Sequence, residues 1–244
     1  GVATTLRGIA THWHGAPGPK LRLLPGRIDL DEVRAMAPQD TRLLVGVEES
    51  RLGPLPLDPK TESHLFLFGD TRSGKTTFLR TLAREVIRTH SAEQAQFLVV
   101  DLRRALLGEL PAEYTVGYLT TREAAKDEIA ALAGYLRQRL PGDKVTPDQL
   151  RARSWWQGAE VWVLVDDYDL VATQAGNPLA PLQPLMAQAG DVGLHIVVVR
   201  RSGGASRAMY EPILQTMTEL GSTGILLSGN PEEGALVGRV KPAR

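Results

Sequence analysis

The chain has 244 residues, 43% hydrophobic and 23% charged, with acidic and basic residues in equal number. That length supports a sizeable buried core in one large or two small domains, and the charge balance lacks the basic excess that announces a nucleic-acid binder. The absence of cysteine excludes disulfides and thiolate metal sites, and no run of 18 apolar residues reads as a membrane-spanning helix.

No secretory leader is read at the start. The chain opens on Gly1 rather than Met, so a piece of a longer protein is expected. Residues 1–60 read as an irregular, proline-rich extension, with "HGAPGPKLRLLPGRI" and "RLGPLPLDP" as its marks. Within it, the apolar runs at residues 21–24 and 43–47 are candidate strands and "DLDEVRAM" a short helix. This stretch is expected to be a linker or an added layer packing on a core formed by residues 61–244.

From His64 the pattern changes to strands alternating with helices. Residues 64–68 read as a strand, and Phe78, Leu79, Leu82, Val86 and Ile87 recur at helical spacing from Gly74 to about His90. "QFLVVDL" and "YTVGYLT" follow as strands. Ile129, Leu132, Ala133, Leu136 and Leu140 mark one face of a helix, with Thr120 and Glu123 spaced as a capping box at its start. "EVWVLVDD" and "LHIVVVRR" read as buried strands, with "PLQPLMAQAG" as a short helix between them. Met209, Ile213, Leu214, Met217 and Leu220 mark a last helix before the strand "GILLSG". Uninterrupted apolar strands between helices predict an α/β fold, a mainly parallel sheet covered on both faces. Ligands of such sheets bind at the carboxyl ends of the strands. Gly69, Asp101, Asp166, Asp167, Arg200 and Arg201 all fall there.

The octet Gly69, Asp70, Thr71, Arg72, Ser73, Gly74, Lys75 and Thr76, continued by Thr77, fits G-x-x-x-x-G-K-[ST] between a strand and a helix. Its glycines let the backbone wrap an anion without Cβ clashes. Successive N–H groups and the helix N-terminus then attract phosphates, Lys75 adds a point charge, and the Thr76 hydroxyl suits Mg²⁺. The expected ligand is a nucleoside triphosphate, ATP with Mg²⁺. The apolar strand ending in Asp166 and Asp167 is the second element: Asp166 would serve Mg²⁺ and Asp167 would polarise the attacking water, with Lys75 also acting in catalysis. The alternative is a pair of strand-end acids in the turn "DDYD". Arg200 or Arg201 could sense the γ-phosphate and Arg207 could reach a neighbouring subunit; the alternative is solvated surface charge. Asp101 could cap the turn after its strand. The histidines are scattered singly or lack partners at ligand spacing, so no protein-only metal site is expected. Trp155, Trp156 and Trp162 read as packing residues.

The segments "LFLFGDTRSGKTTFLR", "VWVLVDDYDLV", "HIVVVRRSGGASRAMYEPIL" and "GILLSGNPEEGALVG" together resemble the FtsK/SpoIIIE-type ATPases. More narrowly they resemble the C-terminal ATPase domain of the EccC family, the motors of actinobacterial type VII (ESX) secretion. The resemblance implies a RecA-like P-loop NTPase fold and a membrane-anchored parent whose ATPase domains lie at the cytoplasmic face of the inner membrane. It implies contacts with other ATPase domains of the same motor, a hexamer among the arrangements it allows, and small helical secreted substrates bound through a C-terminal signal. Two departures bear on turnover. DNA-pumping relatives usually carry Glu where Asp167 stands, and a polar sensor where Arg200 and Arg201 stand. The sequence therefore leaves three readings: a slow or neighbour-dependent ATPase of a secretion motor, a docking module that binds ATP structurally, and a DNA translocase, which the neutral charge disfavours.

Overall fold

The computed structural model describes residues 2–12, 14–15 and 23–243. Among them, a helix α1 (Val2–His12) and a helix α2 (Leu30–Met36) precede a two-stranded antiparallel hairpin, β1 (Leu43–Val47) and β2 (Pro54–Leu57). Pro54 and Pro56 cannot donate to a ladder, which suits β2 to an edge. The central sheet then gathers β3 (His64–Phe68), β4 (Ala95–Val100), β5 (Thr115–Leu119), β6 (Glu160–Val165), β7 (Leu194–Arg200) and β8 (Thr223–Leu226). Their spatial order is β5-β4-β6-β7-β3-β8, and every pairing is parallel.

Alternation along these strands divides the core in two. Phe66, Phe68, Val100, Val163, Val165 and Val198 face one layer, where Ile129, Ala133 and Leu136 of the helix α4 (Arg122–Arg137) and Ile213, Leu214 and Met217 of the Pro212–Glu219 helix share a core with residues 180–188, against which both helices pack. Leu65, Leu67, Val99, Leu164 and Val197 face the other, against Leu79, Leu82, Ala83 and Val86 of the helix α3 (Lys75–Thr89). Leu43 and Leu57 of the hairpin complete that second layer. The extension is also tied down by charge. The fully buried Glu85 carboxylate accepts from Arg34 Nε at 2.7 Å, from the Leu44 N–H at 2.9 Å and from Arg88 Nη2 at 2.7 Å. A buried carboxylate needs such a complement of donors to offset its lost hydration.

Several sequence expectations change. Leu23 and Leu24 are not in a strand, and residues 21–22 lie outside the described residues. The segment expected to be irregular opens with the helix α1. The cap of α4 is Thr121, whose hydroxyl accepts from Ala124 N, so the box between Thr120 and Glu123 is out of register by one. "PLQPLMAQAG" is a 3₁₀ segment, Ala180–Gln188, followed by a single α turn. Pro184 inside it lacks an N–H and crowds the preceding turn, which disfavours a regular α-helix. Met209 stands before the last long helix, whose cap is Glu211. A short helix α5 (Pro147–Ala152) was not expected; its capping box runs from Thr146 to Gln149.

Candidate functional site

The parallel register brings the strand ends to one edge. Phe68 pairs with Arg200 and Val100 with Val165. The Gly69 N–H consequently donates to the Arg200 carbonyl at 3.2 Å, and the Asp166 N–H to the Val100 carbonyl at 3.0 Å. The glycine loop, the two acids and the Arg200–Arg201 step thus share one rim.

The loop itself is closely built. A Cβ at Gly69 would lie 2.3 Å from Ser73 Oγ and 3.2 Å from Leu227 Cβ, so a side chain there would force Ser73 to move. Gly74 adopts φ +100°, a region L side chains rarely enter, and Arg72 sits at φ 64°. Helix α3 starts directly after Gly74 with no side chain capping it. Its first N–H groups therefore point at the loop interior, a ready anion site. Lys75, 8% exposed, donates to the Asp70 carbonyl at 2.7 Å. Ser73 Oγ is buried and has no hydrogen-bond partner. A close-packed glycine loop, an orphaned hydroxyl and a buried ammonium fit a phosphate chain. Thr71 and Arg72 in the loop and Thr77 in the first turn of α3 are exposed. Asp70 is the loop's anchor: its N–H donates to Ser228 Oγ at 3.1 Å, and the buried Ser202 donates to its carboxylate.

Thr76 joins the loop to β6, its hydroxyl donating to Asp166 Oδ2 at 2.8 Å. Asp166 is 2% exposed. Burial pushes its carboxyl above the usual range, the neighbouring Asp167 charge adds to this, and the Thr76 hydrogen bond opposes it. A buried carboxylate beside a hydroxyl, with a second acid next to it, is a hard oxygen set suited to Mg²⁺. Asp167 is left-handed at φ 45°, and its N–H donates to Asp166 Oδ1 at 2.9 Å. Its own carboxylate meets Arg103 Nε at 3.0 Å.

The three arginines separate. Arg201 places Nε and Nη2 on Asp169 Oδ2 at 3.0 and 2.9 Å. Arg200 is buried and donates to the carbonyls of Arg201 and Gly203. Arg200 and Arg207 both line a cavity of about 840 Å³ bounded by Tyr168, Ala208, Glu211 and Ile213. Asp101 accepts from the N–H groups of Arg103 and Leu106 at 3.1 and 2.7 Å, so it does cap its turn. Sequence reasoning missed Ser202 and Ser228 as anchors of Asp70, and Arg103 as partner of Asp167. The serines lie within "RRSGG" and "LLSGN", both after apolar strands, which was the available signal.

The model of the FtsK/SpoIIIE family matches residues 38–192. The ESX secretion system protein EccC of Thermomonospora curvata is 42% identical across 99% of this chain and 18% of its own length. The ESX-4 secretion system protein EccC4 of Mycobacterium tuberculosis is 46% identical across 92% of this chain and 18% of its own length. The chain thus spans under a fifth of these relatives. Among solved structures, Thermomonospora curvata EccC (ATPases 2 and 3) in complex with a signal sequence peptide superposes with a TM-score of 0.89 at 42% identity, covering 100% of this chain and 44% of that one. The mainly parallel sheet between helices is the RecA-like α/β fold of these ATPases.

Proposed function

The chain belongs to the FtsK/SpoIIIE family, and from that premise we propose that it is an ATP-binding domain of a type VII protein-secretion motor, with slow or neighbour-dependent hydrolysis. The observation that carries the reading is the 2.8 Å hydrogen bond from Thr76 to Asp166, because it brings a phosphate-type loop and a buried acid to one point. In this reading the loop N–H groups of residues 69–77 and Lys75 hold the phosphates. Thr76 and Asp166 would hold Mg²⁺. Bound Mg²⁺ would neutralise charge on the phosphate oxygens. Asp167 polarises the attacking water, and the sheet edge keeps these groups in fixed relation. Residues 61–244 form the ATPase unit, with residues 1–60 an extension whose hairpin, β1 and β2, packs on it.

The parent is proposed to be anchored in a membrane, with this domain at the cytoplasmic face. Among the described residues no helix is long and apolar enough to cross a bilayer. Its partners are other ATPase domains of the same motor, in a ring or hexamer, and secreted helical substrates. The signal-peptide complex of the Thermomonospora curvata relative supports the second partner. DNA is not proposed, since the chain carries no net charge.

The test is thermal unfolding with and without Mg·ATP. Ligand at about 100 times its Kd stabilises by roughly 2.7 kcal/mol. Lys75→Ala should weaken binding by about ten- to a hundredfold, the range for losing charged hydrogen bonds. An unchanged melting temperature, with no heat of binding in calorimetry, would end the nucleotide reading.

A further inference from the structure

Asp167 is part-buried and meets a cation through one of its two oxygens. Its carboxylate is held by Arg103, whose Nε lies 3.0 Å from Oδ2. Both partners sit on strand-end turns that are themselves fixed. On the β4 side, the Asp101 carboxylate accepts from Arg103 N at 3.1 Å, Leu106 N at 2.7 Å and the Tyr118 hydroxyl at 2.6 Å. Leu106 is buried, and Arg80 of α3 donates to the Ala105 carbonyl at 2.8 Å. On the β6 side, Asp167 is locked left-handed, with its N–H on Asp166. Because β4 and β6 are neighbours in the sheet, the two turns face each other across one strand spacing.

We propose that Arg103 is a positioning residue that latches Asp167, holding Oδ2 on a guanidinium so that the contact must open before that oxygen can turn to accept a hydrogen bond from the attacking water. The inference rests on the reading of Asp167 as the water-polarising acid. A carboxylate oxygen engaged by a cation accepts less readily from water, and a rotation that aims it elsewhere must first give up the ion pair. The Arg103 side chain is 58% exposed, against 17% for Asp167. Ion pairs this wet restrain an equilibrium by no more than about fivefold. The latch therefore tunes turnover and does not abolish it. For the same reason salt relaxes it, since exposed charges are screened.

Two readouts on the full chain test the latch, one of them independent of turnover. In the nucleotide-free protein, Arg103→Gln should lower the melting temperature by about 1–3 °C, and the same substitution made in an Asp167→Asn background should lower it no further. In phosphate release, Arg103→Gln should raise kcat about two- to fivefold at unchanged KM. Wild-type turnover should rise with added NaCl, whereas that of Arg103→Gln should not, and Arg103→Lys should keep part of the restraint. Additive melting shifts overturn the latch, as does an unchanged or lower kcat in Arg103→Gln. Calorimetry of Mg·ATP on the same samples separates the two ideas. Binding without turnover in either protein overturns the latch alone, and no binding overturns the nucleotide reading beneath it.

Discussion

His64 opens the strand that leads into the phosphate loop, and its own hydrogen bonds fix its protonation. Nδ1 accepts from the Ile196 N–H at 3.2 Å, which leaves the ring proton on Nε2, facing the Met186 carbonyl at 3.1 Å. A second proton would have to displace the Ile196 donor inside the core. Burial accordingly pushes His64 down to about 4, outweighing the Met186 carbonyl, which favours the charged ring. The sign follows from linkage. Between the ordinary value of 6.5 and about 4 the unfolded chain binds the proton and the folded chain does not. His64 therefore costs no stability above pH 6.5 and progressively destabilises as pH falls toward 4. The loss approaches roughly 3 kcal/mol at 1.36 kcal/mol per pH unit. Urea midpoints at pH 7 and pH 4.5 check this: His64→Gln should flatten the acid slope, and an equally steep slope in that variant would assign it to another group. At this scale the sequence was informative where chemistry is local. The composition and spacing of residues 69–76 pointed to phosphates without any knowledge of contacts. The partner of Asp167 was not legible, because Arg103 lies 64 positions away and meets it only through the β4–β6 pairing.

Elements were legible where one force decides them. The parallel strands are apolar on both faces, so β3, β4, β6 and β7 could be read as uninterrupted runs. Ends and short pieces depend on single hydrogen bonds, and there the reading slipped. Thr120 and Thr121 are both plausible caps by composition, and only the backbone decides between them. Thr121 is extended at φ −132° and ψ 157°, with its hydroxyl accepting from Ala124 N at 3.2 Å. Losing such a cap costs typically about 1 kcal/mol. Thr121→Ala should therefore lower the melting temperature by about 2–4 °C for a chain of this size. Thr120→Ala, removing no cap, should fall within about 0.5 kcal/mol of wild type. Thermal unfolding of the two variants side by side checks the register, and equal losses would contradict it. Pro184 should have been decisive for the 3₁₀ segment, but the apolar spacing around it suggested a helix. Helix α1 was missed because proline-rich sequence a few residues on coloured the reading of the whole extension.

For the whole molecule, magnitudes decide what limits turnover. The Arg103 contact can restrain Asp167 by no more than about fivefold. In the proposed reading the shorter side chain of Asp167 would be a positioning loss, and a displacement of about 1 Å can cost on the order of 100-fold. An arginine supplied by a neighbour is larger than either, at roughly 10³–10⁵ in rate. Two of the three arginines considered from sequence are engaged inside the chain, Arg201 with Asp169 and Arg200 with backbone carbonyls. Arg207 lines the 840 Å³ cavity and is exposed, so the proposed contact with another copy falls to it. Against a typical enzyme turnover of about 10 s⁻¹, an isolated monomer should release phosphate at less than about 0.01 s⁻¹ if the site works as proposed. Asp167→Glu should raise that rate only modestly, because the missing neighbour would still dominate. The measurement is phosphate release from a sample shown to be monomeric, with Lys75→Ala as the contamination control. Raising the protein concentration should raise the rate per subunit once copies associate, and Arg207→Ala should remove that rise without changing the dilute rate. A Lys75-dependent rate near about 1 s⁻¹ in the monomer would mean that Asp167 suffices and that no neighbour is needed.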